Sequence, residues 1–353
     1  MQIKFDHLFV KEEKSYADVM PLIMKEANII RENQKDYVVK EVRYSEDNTI
    51  FFKNEDSNHE LDVTEFAFGQ FCSKIGMPIS FYNKLRSSKS YDLQNMAVDN
   101  INKLARHYKN DMLLRCNDNV VRGVLSTRYT PFDTHRILDI FDSELQNNGK
   151  LQADDLMIRG YVNNPDIFHM RMTSANPIKA EGVEDGIFTG LSIDTSNVGQ
   201  AKIGVNFFIY RQVCSNGMVV SYFNKNLFSQ KHMNISVNEI EEGLRYSFQI
   251  FPQIAKKAEE MIIKASNTNI SQELSDYAAN NFRIEAIKNK LNVSDKDMQE
   301  ITYILKESYP NTVWGYTNAI TEFSKTKDFE RRIELERLAG DILYNPNRYA
   351  LVA

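Results

Sequence analysis

The amino-acid sequence predicts an α+β protein built around a central, largely antiparallel sheet. Between residues 112 and 238, apolar and polar side chains alternate over short runs, which is the period of a half-buried strand. From residue 239 onward, apolar side chains recur at helical spacing. We therefore expect a mixed α/β region over 1–111, a β-rich domain over 112–238 and a helical region over 239–353.

The region before residue 112 contains both β-like runs and helices. Asp62 or Thr64 can cap a helix whose apolar side chains recur every four residues up to Ile75. Gly76 and Pro78 are expected to end that helix, because glycine tolerates the left-handed conformation of a C-cap and proline cannot continue a helix.

The region from 112 to 238 contains the strands on which our functional hypothesis depends. Alternating runs occur at 120–128, 157–163 and 167–173, and in each of them arginine lies on the more polar face. A further signal is the dipeptide Asn216-Gly217 between two apolar runs. It favours a type I′ turn, which needs positive φ at both central residues, so we predict a two-residue hairpin turn there.

The helical region has recognisable helix ends. We expect Pro252 to kink or end the first helix, because its ring clashes with the preceding turn. Ser294, with Asp297 three residues later, is typical of a capping box. Asp328 is expected to open the last helix.

Composition narrows the class of protein. The chain has 43 Lys and Arg against 48 Asp and Glu, a net charge of −5, so any nucleic-acid site must be a local patch. No apolar run approaches the roughly 20 residues of a membrane span, and the polar N-terminus does not resemble a signal peptide. The three scattered cysteines indicate buried free thiols in a reducing compartment. We therefore expect a cytoplasmic protein.

No familiar catalytic or cofactor motif occurs in the sequence. We find no phosphate-binding loop, dinucleotide fingerprint, zinc-ligand spacing or nucleophile elbow, and the six histidines are dispersed. The sequence therefore indicates no catalytic residue, cofactor or metal ligand, and favours a protein that is not an enzyme. Distant carboxylates that assemble a metal site in the fold remain an open alternative.

Five short segments, which form three groups, resemble a known family. They read RGVLSTRYTPFD over 122–133, GLSIDTSNVG over 190–199 with YRQVCSNGM over 210–218, and NAITEF over 318–323 with ERLAG over 336–340. Together they resemble the phage/plasmid-like proteins of domain-of-unknown-function family nine hundred thirty-two, over about residues 61–343. The resemblance implies a phage or plasmid setting but no assigned activity. The loop DTSNVG at 194–199 departs from the serine-rich SNSEVG that the family leads us to expect, so a role that needs that glutamate is in doubt.

Cations and aromatic side chains of the middle region suggest a function. Guanidinium groups bind phosphate through paired hydrogen bonds, and aromatic rings stack on bases. Residues 195–238 contain both and no Asp or Glu. We predict binding of single-stranded DNA or RNA in phage or plasmid recombination, annealing or replication. The predicted contacts are Arg122, Arg128, Tyr129, Arg159, Arg171, Lys202, Tyr210, Arg211, Tyr222 and Lys225.

Two alternatives stay open at this point. The aromatic residues can belong to the core, while each arginine pairs with a carboxylate such as Asp118, Asp133 or Asp166. The protein can also act by binding a host or phage protein, for example to block a defence system, which requires an exposed apolar patch. The sequence leaves the oligomeric state open, including a homo-oligomer.

Overall fold

The structure is a computed structural model. It describes residues 14–54, 57–148, 153–177, 186–211, 216–220, 227–271, 285, 287–289 and 292–349. In these ranges no helix is both long enough and apolar enough to cross a membrane.

The described strands form two sheets. A six-stranded sheet has the order β2-β6-β7-β5-β4-β3, and only its β5–β7 pair is parallel. Its strands are β2 Gln34–Val39, β3 Val42–Tyr44, β4 Thr49–Asn54, β5 Ser57–Val63, β6 Met112–Asn117 and β7 Val120–Ser126.

The other sheet is seven-stranded and antiparallel throughout. Its order is β1-β8-β9-β10-β11-β12, and β13 also pairs with β11. Its strands are β1 Lys14–Ser15, β8 Leu156–Asn163, β9 Ile167–Ser174, β10 Ile187–Ser196, β11 Ile203–Arg211, β12 Asn216–Val220 and β13 Phe228–Gln230.

The described helices flank both sheets, and the predicted α+β class with a helical C-terminal region is confirmed. The strands between 112 and 238 nevertheless divide between two sheets, because β6 and β7 pair with strands from before residue 112. The helices are α1 Tyr16–Glu32, α2 Glu65–Ile75, α3 Ile79–Arg86, α4 Tyr91–His107, α5 Thr134–Asn148, α6 Val237–Ser266, α7 Asp295–Ser308, α8 Val313–Ser324 and α9 Phe329–Tyr344.

The predicted helix ends are found where local chemistry specifies them. Thr64 caps α2 by accepting a hydrogen bond from the Ala67 amide, and Gly76 ends it with a left-handed φ of 76°. Ser294 and Asp297 form the predicted capping box of α7. Asp328 caps α9.

Pro252 does not end a helix, because α6 continues through it. Residues on both sides of the proline, such as Phe248 and Ile254, are buried in one core. Their burial outweighs the lost backbone hydrogen bond and the ring clash, which together cost about 3 kcal/mol in a helix interior.

The prediction of a two-residue turn at Asn216-Gly217 is wrong. The strands β11 and β12 do form an antiparallel pair, but Asn216 lies opposite Arg211 and Gly217 opposite Tyr210 within that pair. The connection therefore spans residues 212–215, which lie outside the described residues. The pairing of β12 with β11 over five residue pairs places the dipeptide within the strand, against its local preference for a turn.

Each sheet has its own core. The apolar face of the seven-stranded sheet packs with α1, α5, α6 and the C-terminal helices, while the six-stranded sheet packs mainly with α2 and α4. Cys72 and Cys116 are free and fully buried in the second core, as the sequence predicted. Burial raises the pKa of both thiols to about 12, so they are unreactive. Cys214 lies outside the described residues.

Candidate functional site

The two sheets are joined by a buried arginine. Arg115 on β6 is 1% exposed and binds both carboxylate oxygens of Asp133, at 2.7 and 2.9 Å. It also donates to Asp36 at 3.1 Å and to the carbonyl of Asn197 at 2.5 Å. Burial by itself lowers the pKa of Arg115. The carboxylates of Asp133 and Asp36 have the larger combined effect and raise that pKa. Because Asn197 follows β10, this cation ties the six-stranded sheet to the seven-stranded one.

The loop after β10 is the other half of this junction. The Ser196 hydroxyl donates to the carbonyl of Asp166 at 2.8 Å and accepts from the amide of Gln200 at 2.9 Å. The Tyr129 hydroxyl donates to the Ser196 carbonyl at 2.9 Å, and the Asn197 side chain accepts from the Thr134 amide. The family-like segment 190–199 therefore has a structural explanation, since its buried polar residues hold the sheets together.

A cleft of about 980 Å³ opens beside this junction, between α2 and β7. Gln70 of α2 fixes one wall, because its side chain donates to the Val198 carbonyl at 3.0 Å and accepts from the Val124 amide at 2.8 Å. Apolar residues supply part of the lining. They are Phe66, Phe68, Ile79, Val124, Leu125 and Met233.

The charges of the cleft fall into two groups. Arg122 lines the cleft but is held by Asp166, with two hydrogen bonds of 2.7 Å. Lys74 also lines the cleft, and Arg128 is exposed in the turn after β7. Burial, and then the nearby charge of Arg128, lower the pKa of Lys74. Within the described part of the chain neither Lys74 nor Arg128 forms an ion pair, and we call these two the cleft cations.

Two exposed lysines lie near the cleft cations. Lys202 and Lys231 immediately flank the β11–β13 pairing, in which Ile203 lies opposite Gln230. The chain after Lys231 runs beside the turn that carries Arg128, because the Thr130 amide donates to the His232 carbonyl at 2.6 Å. Lys202 and Lys231 are therefore candidates for outer contacts of a ligand in the cleft.

Two more of the predicted arginine contacts already have partners within the protein. Arg171 is 8% exposed and donates to Glu336 of α9 at 2.9 Å. Arg159 is half-buried, and its guanidinium lies over the neighbouring rings of Phe188 and Tyr210, at 4.9 and 4.6 Å from their centroids. Both arginines belong to the seven-stranded sheet, whereas Arg122 belongs to the six-stranded one. The arginines of these alternating runs therefore do not share one face, because alternation reveals the face of a strand but not the sheet to which it belongs.

The predicted stacking residues are also buried where the structure describes them. Tyr129 is 5% exposed, and its ring stacks on His232 at 4.9 Å. Tyr210 is 4% exposed. The side chains of Arg211, Tyr222 and Lys225 lie outside the described residues.

Sequence reasoning missed two residues that define this region. Arg115 stands alone in the apolar run 112–116, and an isolated arginine in such a run is a signal for a buried ion pair. Lys74 carries no comparable signal, because a single lysine on a helix is usually a surface charge. Among the described residues no group of three or more His, Cys, Asp or Glu side chains could hold a metal ion.

A family comparison covers most of this architecture. A family model described as a domain of unknown function (DUF932) matches residues 121–339, more than half of the 353 residues. The chain belongs to the DUF932 family. The matched range of DUF932 begins on β7 and includes all of the seven-stranded sheet except β1, whereas α2 and Lys74 precede it. No curated protein and no solved structure matches the chain.

Proposed function

We propose that the cleft between α2 and β7 binds a single-stranded nucleic acid. The observation that carries this proposal is the pair of cleft cations. Lys74 lines the cleft and Arg128 is exposed in the turn after β7, where its charge adds to burial in lowering the pKa of Lys74. Two like charges that repel each other without an acidic partner among the described residues are relieved by a bound anion. A phosphate backbone supplies such anions in a row.

The cleft itself favours a single strand over a duplex. Its lining combines polar groups with apolar side chains such as Phe66 and Ile79, which can contact exposed base faces. The net charge of −5 repels an extended duplex away from the cleft. The resemblance to phage and plasmid proteins favours a role in recombination, annealing or replication, which would be cytoplasmic.

The proposed contacts differ from those that the sequence suggested. Arg128 remains a proposed phosphate contact, and Lys202 remains a proposed outer contact. Lys74 is added as a phosphate contact and Lys231 as an outer contact. Arg159, Arg171, Tyr129 and Tyr210 are no longer proposed contacts, because buried partners occupy them. The remaining arginine, Arg122, is held by Asp166 and is considered separately below.

The first prediction is salt-sensitive binding to single strands that depends on the cleft cations. Fluorescence anisotropy with labelled oligo(dT), oligo(rU) and duplex DNA is followed over a range of salt concentrations. Each phosphate contact to a single strand contributes a slope of about −0.7 in log K against log salt. We expect Lys74→Gln and Arg128→Gln each to reduce affinity and to flatten the slope by about that amount.

The matched control is Lys256→Gln, which removes an exposed lysine of α6 on the outside of the molecule and should change neither quantity. The absence of salt-sensitive single-strand binding at micromolar protein would contradict the proposal. Protein binding is then the stronger candidate, because α3 and α4 expose large apolar side chains. These are Ile79, Phe81, Tyr91, Leu93 and Met96, with exposed fractions of 41%, 44%, 67%, 39% and 39%.

A further inference from the structure

The cleft contains a third cation, which already forms an ion pair with a carboxylate. Arg122 keeps 26% of its side chain exposed, and its Nε and Nη2 atoms donate to the two oxygens of Asp166 at 2.7 Å each. A planar guanidinium binds a phosphate through the same two parallel hydrogen bonds. Both side chains line the cleft. The carboxylate of Asp166 therefore takes the position at Arg122 that a phosphate of the ligand would need.

Asp166 is held firmly in this position by its backbone. Its amide donates to the Asn164 side chain at 2.9 Å. Its carbonyl accepts from the Ser196 hydroxyl at 2.8 Å and from the Asn197 amide at 3.0 Å. These bonds fix the backbone of Asp166 against Ser196 and Asn197, so its carboxylate always stays within reach of Arg122.

We propose that Asp166 is an internal competitor of the ligand for Arg122 and thereby sets the affinity of the cleft. This inference rests on the proposed function, since it concerns the same cleft. Lys74 and Arg128 make the resting phosphate contacts, and Arg122 contributes only when a phosphate displaces the Asp166 carboxylate. The fixed carboxylate weakens the complex, so a bound strand exchanges more readily than the number of cations suggests.

The test is Asp166→Asn, which keeps the size and shape of the side chain while removing its charge. Binding of labelled oligo(dT) should become about tenfold tighter, because charge-assisted hydrogen bonds from Arg122 become available to phosphate. The salt slope should steepen by about 0.7, the contribution of one additional phosphate contact. Thermal unfolding and circular dichroism show whether the variant keeps the fold.

A matched control separates this mechanism from a general change in charge. Glu65 lines the same cleft, is exposed and forms no ion pair among the described residues. Glu65→Gln should raise affinity by clearly less than Asp166→Asn and should leave the slope unchanged. Adding Arg122→Gln should abolish the gain from Asp166→Asn but not the smaller gain from Glu65→Gln.

Arg122→Gln alone provides a second route if Asp166→Asn does not fold. With Asp166 intact, Arg122→Gln should reduce affinity less than Lys74→Gln does, because Asp166 already occupies the hydrogen-bond donors of Arg122. An equal or greater loss would show that Arg122 is an open contact and would overturn the inference, as would an unchanged affinity in a folded Asp166→Asn protein. If the wild type itself does not bind single strands, the proposed function fails, which is a distinguishable result.

Discussion

The arginines of the two sheets lie on strands with the same alternating pattern but have different environments. On the seven-stranded sheet, Arg171 is buried against Glu336 of α9, and Arg159 lies over two neighbouring aromatic rings. On the six-stranded sheet, Arg122 lines an open cleft, and Arg128 is exposed in the turn that follows its strand. The difference arises from what lies against each side chain. Arg171 is covered by Glu336 of α9, whereas Arg122 borders open space on one side.

The largest effect that would test this comparison is on stability. Arg171→Met should lower the free energy of unfolding by about 3 kcal/mol, because it removes a partner of the fully buried Glu336. The estimate is at the low end of the usual range because Arg332 also binds Glu336, at 3.0 Å. Arg128→Met should change stability by less than about 0.5 kcal/mol. Urea unfolding measures both, and similar losses in the two variants would refute the distinction between the regions.

A smaller effect concerns the junction between the sheets. His232 is 3% exposed, stacks on Tyr129 and contacts the carbonyl of Thr130. Burial, reinforced by the charge of Arg115, lowers the pKa of His232 to about 4. The unfolded chain, with its ordinary histidine pKa near 6.5, then binds a proton more readily than the folded protein does. Stability is therefore complete above pH 6.5 and falls as the pH drops toward 4.

The expected slope from His232 is at most about 1.4 kcal/mol per pH unit in that window. His232→Gln should flatten the slope, while His107→Gln, at an exposed position on α4, should not. Thermal unfolding between pH 7 and pH 4 provides the measurement. An equal pH dependence in all three proteins would mean that the junction histidine is accessible to protons in the folded state.

The sequence predictions are accurate for features that depend on neighbouring residues and fail for features that depend on how segments pair. Thr64 and Gly76 were identified because a helix cap is satisfied within four residues. The alternating faces of β8 were identified because alternation depends only on neighbouring residues of one strand. The sheet that contains β7 and the helix that covers Arg171 depend on segments far away in the chain. The register at Asn216 depends on the pairing of the whole strands β11 and β12, which a single dipeptide does not reveal. The pairing of an arginine with Asp166, one of the alternatives considered from the sequence, is confirmed for Arg122.

The smallest predicted effects distinguish the contribution of the cleft wall to binding from the contribution of the cleft cations. Thr64 lines the cleft and caps α2, so Thr64→Ala should lower stability by about 1 kcal/mol through the lost hydrogen bond to the Ala67 amide. It should leave affinity for oligo(dT) unchanged, because the buried residues Phe71 and Ile75 still fix the position of α2. Lys74→Gln should instead leave stability unchanged and weaken binding, since it removes the charge that we propose as a phosphate contact. Urea unfolding and anisotropy on the same two preparations provide the comparison. If Thr64→Ala weakened binding as much as Lys74→Gln, the shape of the cleft wall, and not its two cations, would determine affinity.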